Sequence, residues 1–153
     1  MIEKIGLVII TTLLPFIELR GSIPLALSLG LNPILTLVLT VLVNSLLFFP
    51  IFFGLKAFYD VLLSKIKFSN GIIERVRRRG SPYVEKYGLI GLAIFVAIPA
   101  PFTGVYSGTI LGWLLNLEWK KAFLAVAFGA FVAGLTVLGA SLGLFASLAL
   151  ILK

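Results

Sequence analysis

Glu18 and Arg20 are the only ionisable side chains set inside an apolar stretch of this chain, in the segment Pro15-Phe16-Ile17-Glu18-Leu19-Arg20-Gly21-Ser22-Ile23-Pro24. A charge at the centre of a spanning helix costs about 2.5–3.5 kcal/mol on insertion scales, so a pair kept there points to a substrate or proton site. The plainer use is an internal ion pair that only holds the segment in shape. Two positions apart, the residues do not share a helix face, but in backbone unwound between Pro15 and Pro24 either can turn towards a water-filled cavity or a facing backbone. A second break, Pro99-Ala100-Pro101-Phe102-Thr103-Gly104, carries no charge and offers Thr103, Tyr106, Ser107 and Thr109. Hydroxyls and helix N-termini freed by Pro99 and Pro101 suit an anionic group such as a phosphate, with Arg20 as its countercharge. Other chemistry has little to work with. The chain has no Cys and no His, hence no thiolate, imidazole base, disulfide or conventional transition-metal ligand set. Glu18 has no second carboxylate beside it, so neither an enzyme nor a metal or other cofactor is expected.

The elements that hold these residues are membrane helices. Of 153 residues, 60% are hydrophobic and 12% charged, with a mean hydropathy of +1.16, outside the range of soluble domains. Ile34–Leu55 and Ala122–Leu152 are apolar on every face, as spanning segments are. Met1-Ile2-Glu3-Lys4 lacks the basic region of a signal peptide, so the first apolar run is expected to be retained. Between Lys56 and Tyr87, eight basic residues (Lys56, Lys65, Lys67, Arg75, Arg77, Arg78, Arg79, Lys86) face three acidic ones. The positive-inside rule places this segment in the cytoplasm, anchored against anionic lipid headgroups, with no nucleic-acid role. Within it, Ala57–Phe68 reads as a short interfacial helix ended by Ser69-Asn70-Gly71.

Two halves follow the same plan: residues 1–55 and 88–153 about the basic linker 56–87, in one membrane domain. Each half begins with a proline-broken apolar stretch whose arms hold about ten residues, or about 15 Å, half the hydrocarbon core. An offset of 86 sets Pro15-Phe16 on Pro101-Phe102 and Pro33–Leu55 on Trp119–Ser141. The basic residues divide ten against two whether each broken stretch is a re-entrant hairpin or a kinked span, so charge does not choose. The short arms favour re-entry, and one crossing per half makes the second half inverted, as in many secondary transporters. The expected fold is therefore an all-α multi-pass protein of the cell membrane, two inverted halves, each a re-entrant helical hairpin and a transmembrane helix. Gly104, Gly108 and Gly112, four apart, read as a close-packing face. Ala125, Gly129 and Ala133 with Gly139 and Gly143 read as another, with a homodimer contact as one use.

Pro15 to Pro24, then Ala97-Ile98-Pro99-Ala100-Pro101-Phe102-Thr103-Gly104 and the exit from Trp113 to Lys121, resemble the small multidrug export family of prokaryotes. More distantly, the stretch from Lys86-Tyr87-Gly88 to Gly112 resembles the DedA superfamily. That resemblance implies facing re-entrant hairpins and the flipping of polyprenyl-phosphate or phospholipid, coupled to an ion gradient, with Glu18 at the acidic position of the first hairpin. The arginine usual in the second DedA hairpin has no counterpart here. The expected function is a small transporter or flippase of an anionic lipid or small amphiphile, proton-coupled. The alternatives are an exporter of lipophilic compounds and a membrane assembly protein that transports nothing.

Overall fold

The computed structural model describes the backbone of residues 2–15, 17–65, 67–100 and 103–151, without the side chains at 58–73, 76, 77, 81, 83, 145 and 148–151. Pro101, expected at the second break, and Lys153 lie outside the described residues. Among the described residues, seven helices follow one another: α1 (Ile2–Leu13), α2 (Glu18–Ser28), α3 (Pro33–Leu46), α4 (Phe48–Lys65), α5 (Lys67–Ala97), α6 (Val105–Leu114) and α7 (Trp119–Ile151). Asn32 caps α3 by accepting from the N–H groups of Ile34 and Leu35 at 2.9 and 3.2 Å, with Pro33 in the first turn where its missing donor costs nothing. Pro50 withholds the N–H that would bond Leu46, and the chain turns at Leu47 before continuing as α4. Pro33–Ala57 and Trp119–Leu144, with mean hydropathies of 2.4 and 2.2, are long and apolar enough to cross a membrane.

The shorter helices fold back on their neighbours. Lys4 Nζ at the start of α1 donates to the carbonyl of Leu29 at the end of α2 (2.7 Å), so α1 and α2 form an antiparallel hairpin and not one kinked rod. In the other half, a Cβ on Gly108 would meet Val96 and one on Gly112 would meet Leu92. As α6 advances, α5 recedes, so these helices are antiparallel too. The long helices also oppose each other: Gly134 of α7 faces Leu37 and Val41 of α3, while the Phe48 and Phe49 rings pack edge-on and tilted against Phe123 (5.5 and 4.9 Å) and Phe53 packs against Trp119 (5.8 Å).

The same turn ends α2 and α6. Gly30 N bonds Leu27 O and Leu31 N bonds Ala26 O; 86 residues on, Asn116 N bonds Trp113 O and Leu117 N bonds Gly112 O. Both are Schellman caps built on a left-handed residue, Gly30 at φ 75° and Asn116 at φ 52°, one residue type that adopts it freely and one that tolerates it.

Burial runs opposite to that of a soluble protein. The buried residues of α3 are Thr36, Thr40, Asn44 and Ser45, while Ile34, Leu35, Val38, Leu42 and Leu46 are exposed. A helix that hides its polar face and shows its apolar one is built for a lipid solvent. An apolar core also exists, centred on Leu92, Phe95, Val96, Leu111 and Val126.

Two expectations about breaks are corrected. Pro24 lies inside α2, which resumes at Glu18, so the first break is confined to the residues between Leu13 and Glu18. A proline in a membrane helix costs one hydrogen bond, and that loss is tolerated where neighbouring helices pack around it. Nor does the basic segment break at Ser69-Asn70-Gly71, since α5 runs helically through it. A lone glycine costs a helix only about 1 kcal/mol. The interruption falls instead at Gly88 (φ 59°, ψ −133°), in a region of backbone space open to glycine and hardly to other residues.

Candidate functional site at the two helix breaks

Glu18 opens α2 with a backbone φ of 46°, a left-handed conformation that costs a non-glycine residue about 1–2 kcal/mol. Such strain marks sites where position matters more than local comfort. Its side chain is 4% exposed and reaches the start of α6. The carboxylate accepts from Val105 N (3.2 Å), Tyr106 N (3.4 Å) and Asn44 Nδ2 (3.4 Å). These backbone donors belong to the first turn of α6, which has no intrahelical acceptor for them and bears the positive end of the helix dipole. Gly104 lies immediately before this turn, and a Cβ there would overlap the Glu18 carboxylate.

Arg20 serves the other side of the same break. Its Nη2 donates to the carbonyls of Ile98 (3.2 Å) and Thr103 (3.1 Å) and to Thr103 Oγ1 (2.9 Å). Ile98 follows the last residue of α5, so the guanidinium sits where that helix presents carbonyls without partners. Thr103 closes the loop by hydroxyl bonds within it, to the carbonyls of Ile98 and Ala100. Reciprocally, Tyr106 Oη donates to Leu13 O (2.6 Å), the carbonyl at the end of α1. Each break is thus capped by a side chain from the other half.

The internal ion pair entertained from the sequence is not what forms. Glu18 and Arg20 make no salt bridge with each other; each is spent on the backbone of the opposite break. The anion site expected at the α6 N-terminus is occupied by Glu18 itself. Of the residues expected to share the site, Glu18, Arg20, Thr103 and Tyr106 come together. Thr109 bonds back to Val105 O of its own helix, and Ser107 is buried without a hydrogen bond to the cluster. Pro15 and Pro99 stand at the two breaks. Gly108 and Gly112 do pack α6 on α5, whereas Gly104 makes room for a carboxylate. Of the α7 small residues, Ala125, Gly129 and Ala133 are buried, and Gly139 and Gly143 look onto open space.

Asn44 was not anticipated. Its signal is legible afterwards: Thr36, Thr40 and Asn44 recur every four residues inside an apolar span, which sets three polar groups on one face. Of these three, Asn44 joins Glu18, Leu19, Arg20, Val96, Gly104, Val105, Ala130 and Ala133 in enclosing a space with no room for a water molecule. A separate, largely apolar groove of about 300 Å³ is bordered by Pro24, Pro99, Thr136, Val137, Ala140, Ser141 and Leu144. Pro24 lies one helical turn beyond Arg20, and Pro99 follows the carbonyl that Arg20 holds.

No curated protein and no solved structure matches the chain. Residues 18–136, from the glutamate that caps α6 to the middle of α7, match the family described as "Putative small multi-drug export protein". That span contains Glu18, Arg20, the second break, the first apolar helix and the first part of the second, and the chain is a membrane protein belonging to this small multi-drug export family.

Proposed function

We propose that the chain is a small exporter of lipophilic compounds in the cell membrane, with Glu18 as its proton-binding group. The observation that carries this reading is a carboxylate closed away from water and held by the start of a helix from the other half. In that setting, gain or loss of a proton changes whether Glu18 can hold α6, so protonation and the seating of the two breaks are linked. The apolar groove beside Pro24 and Pro99 suits a lipophilic cargo and adjoins the Arg20 end of the cluster. Three features support two inverted halves. Positions related by the 86-residue offset, Glu18 with Gly104 and Asn44 with Ala130, line one closed space. The capping of α5 by Arg20 is answered by that of α1 by Tyr106. The long helices α3 and α7 are antiparallel. Reciprocity of this kind arises beside a two-fold axis, and inverted halves that cap each other are a frame for alternating access.

A second reading, movement of an anionic lipid such as a polyprenyl-phosphate in the manner the DedA resemblance implies, is favoured by Arg20. Among the described residues, its bonds are made by Nη2, which leaves Nε and Nη1 to meet a headgroup. Reconstituted liposomes separate these possibilities. We expect a pH gradient to drive accumulation of a fluorescent lipophilic cation, and Glu18→Gln to reduce it at least tenfold while the protein stays folded. Gradient-driven movement of labelled polyprenyl-phosphate instead would establish the lipid reading. Transport that ignores both the gradient and Glu18→Gln would overturn the role given to the carboxylate, and no transport of either probe by folded wild-type protein would leave an assembly protein.

Re-entry of both hairpins puts the two termini outside and the basic segment 56–87 in the cytoplasm. Single cysteines introduced into this naturally Cys-free chain test it: position 3 should label from outside and position 78 only after permeabilisation. Labelling of position 3 from the cytoplasm alone would exclude re-entry.

A further inference from the structure

Asn44 is fully buried on α3, and its two amide atoms fare differently: Nδ2 donates to Glu18 Oε2 at 3.4 Å, while Oδ1 has no hydrogen-bond partner. An unpaired buried acceptor is costly, and native structures rarely leave one without a reason. The side chain that Asn44 does reach, Glu18, is a group that gains a donor on protonation. A carboxylate has only acceptors, whereas a carboxylic acid has one O–H to give. A side-chain amide offers a donor on one side and an acceptor on the other, and rotation about its last torsion exchanges them.

We propose that Asn44 is the positioning residue that holds Glu18 in both of its protonation states. With Glu18 charged, the Asn44 amide donates to it as observed. With Glu18 protonated, the amide turns over and Oδ1 accepts the carboxyl proton, so neither state leaves the acid unpaired. This deepens the proton-binding role proposed above and rests on it. Protonation also weakens the hold on Val105 N and Tyr106 N, because a neutral acid is a poorer partner for the start of a helix than an anion. The amide thus favours proton loading and release of α6 together.

The surroundings suit a two-state partner. Among the described residues, the titratable groups near Glu18 are Arg20 on its own helix and Tyr106 on α6, whose hydroxyl is committed to Leu13 O. Helix α3 contributes no titratable residue. Glu3 and Lys4 of α1 lie in its first turn, Lys120 and Lys121 of α7 in its first turn, and residues 89–97 of α5 carry none. Asn44 is therefore the neutral group through which the proton state of Glu18 is accommodated. Serine or threonine hydroxyls could play a similar part, but those nearby are directed elsewhere: Ser22 Oγ donates to the Glu18 carbonyl and Thr109 Oγ1 to Val105 O.

Infrared difference spectra between acid and alkaline pH, recorded on the full chain in lipid, test this. A protonated-carboxyl band should appear in the wild type and vanish in Glu18→Gln. In Asn44→Leu, which keeps the shape and removes both amide groups, the band should move to higher wavenumber as the acid loses its acceptor. Gradient-driven export should fall roughly tenfold, the factor expected when one buried polar group is left unpaired. Wild-type protein labelled with ¹³C-asparagine should show a side-chain carbonyl change on acidification that is absent from labelled Glu18→Gln. That measurement decides the matter alone if Asn44→Leu fails to fold. A Glu18 band blind to Asn44→Leu, or an unchanged asparagine carbonyl in the labelled wild type, would overturn the role of Asn44 and leave the proton site standing. No Glu18 band at any pH would remove the proton site as well.

Discussion

Gly129→Ala is expected to destabilise the protein by about 1–3 kcal/mol, the usual cost of forcing a methyl group into a packed interface. A Cβ at Gly129 would stand 2.5 Å from the carbonyl oxygen of Ala93 and 2.7 Å from Val96 Cβ. One of these neighbours is backbone and the other is the branched root of a side chain, so neither swings aside and α7 must move off α5. In a bilayer, helices gain little from hiding apolar surface, and close contact supplies most of the attraction. Gly139→Ala is the control. It faces open space within the same helix and should be neutral or up to about 1 kcal/mol stabilising through helix propensity. Melting temperatures of both variants in one detergent check the contrast, and equal effects would show that the α5–α7 seam is looser than described.

Arg20→Ala should cost about 2–3 kcal/mol, because it leaves the carbonyls of Ile98 and Thr103 without their charged donor. Glu18→Gln should cost about 1–2 kcal/mol, since an amide is a weaker acceptor at the head of α6 than a carboxylate. The decisive measurement is the double variant. Were the two residues partners, removing both would restore much of what either change loses. They cap different helices, so the double variant should be less stable than either single one. Recovery in the double variant would show that Glu18 and Arg20 pair directly with each other in the membrane.

The long helices were legible because an all-apolar run has one economical use, and the breaks because Pro15 and the Pro99–Pro101 pair interrupt runs too short to cross alone. Pro24 misled because residue type does not say whether neighbouring helices will tolerate one lost hydrogen bond. Gly71 and Gly88 look alike in sequence, and residue type does not say which of them leaves the helix. Glu18 and Arg20 could be picked out as residues in need of partners, but most of their partners are main-chain groups 78 to 88 residues away, and backbone carries no signature in residue type. The offset of 86 carries a further relation. It places Glu18 on Gly104, and a long acid opposite a residue with no side chain is how a carboxylate reaches a helix end.

Cross-capping also has a timetable. Arg20 leaves the ribosome 83 residues before the Thr103 it binds, which at about 5–20 residues per second is a wait of roughly 4–17 s. During that interval the first hairpin holds a cation and an acid for which the growing chain has no answer yet. Their cost in lipid can delay its burial until the second hairpin arrives, so the order of synthesis becomes part of how the two halves meet. Expressed alone, residues 1–55 would keep waiting, and should be retained at the membrane surface or degraded unless residues 56–153 are supplied as a separate chain.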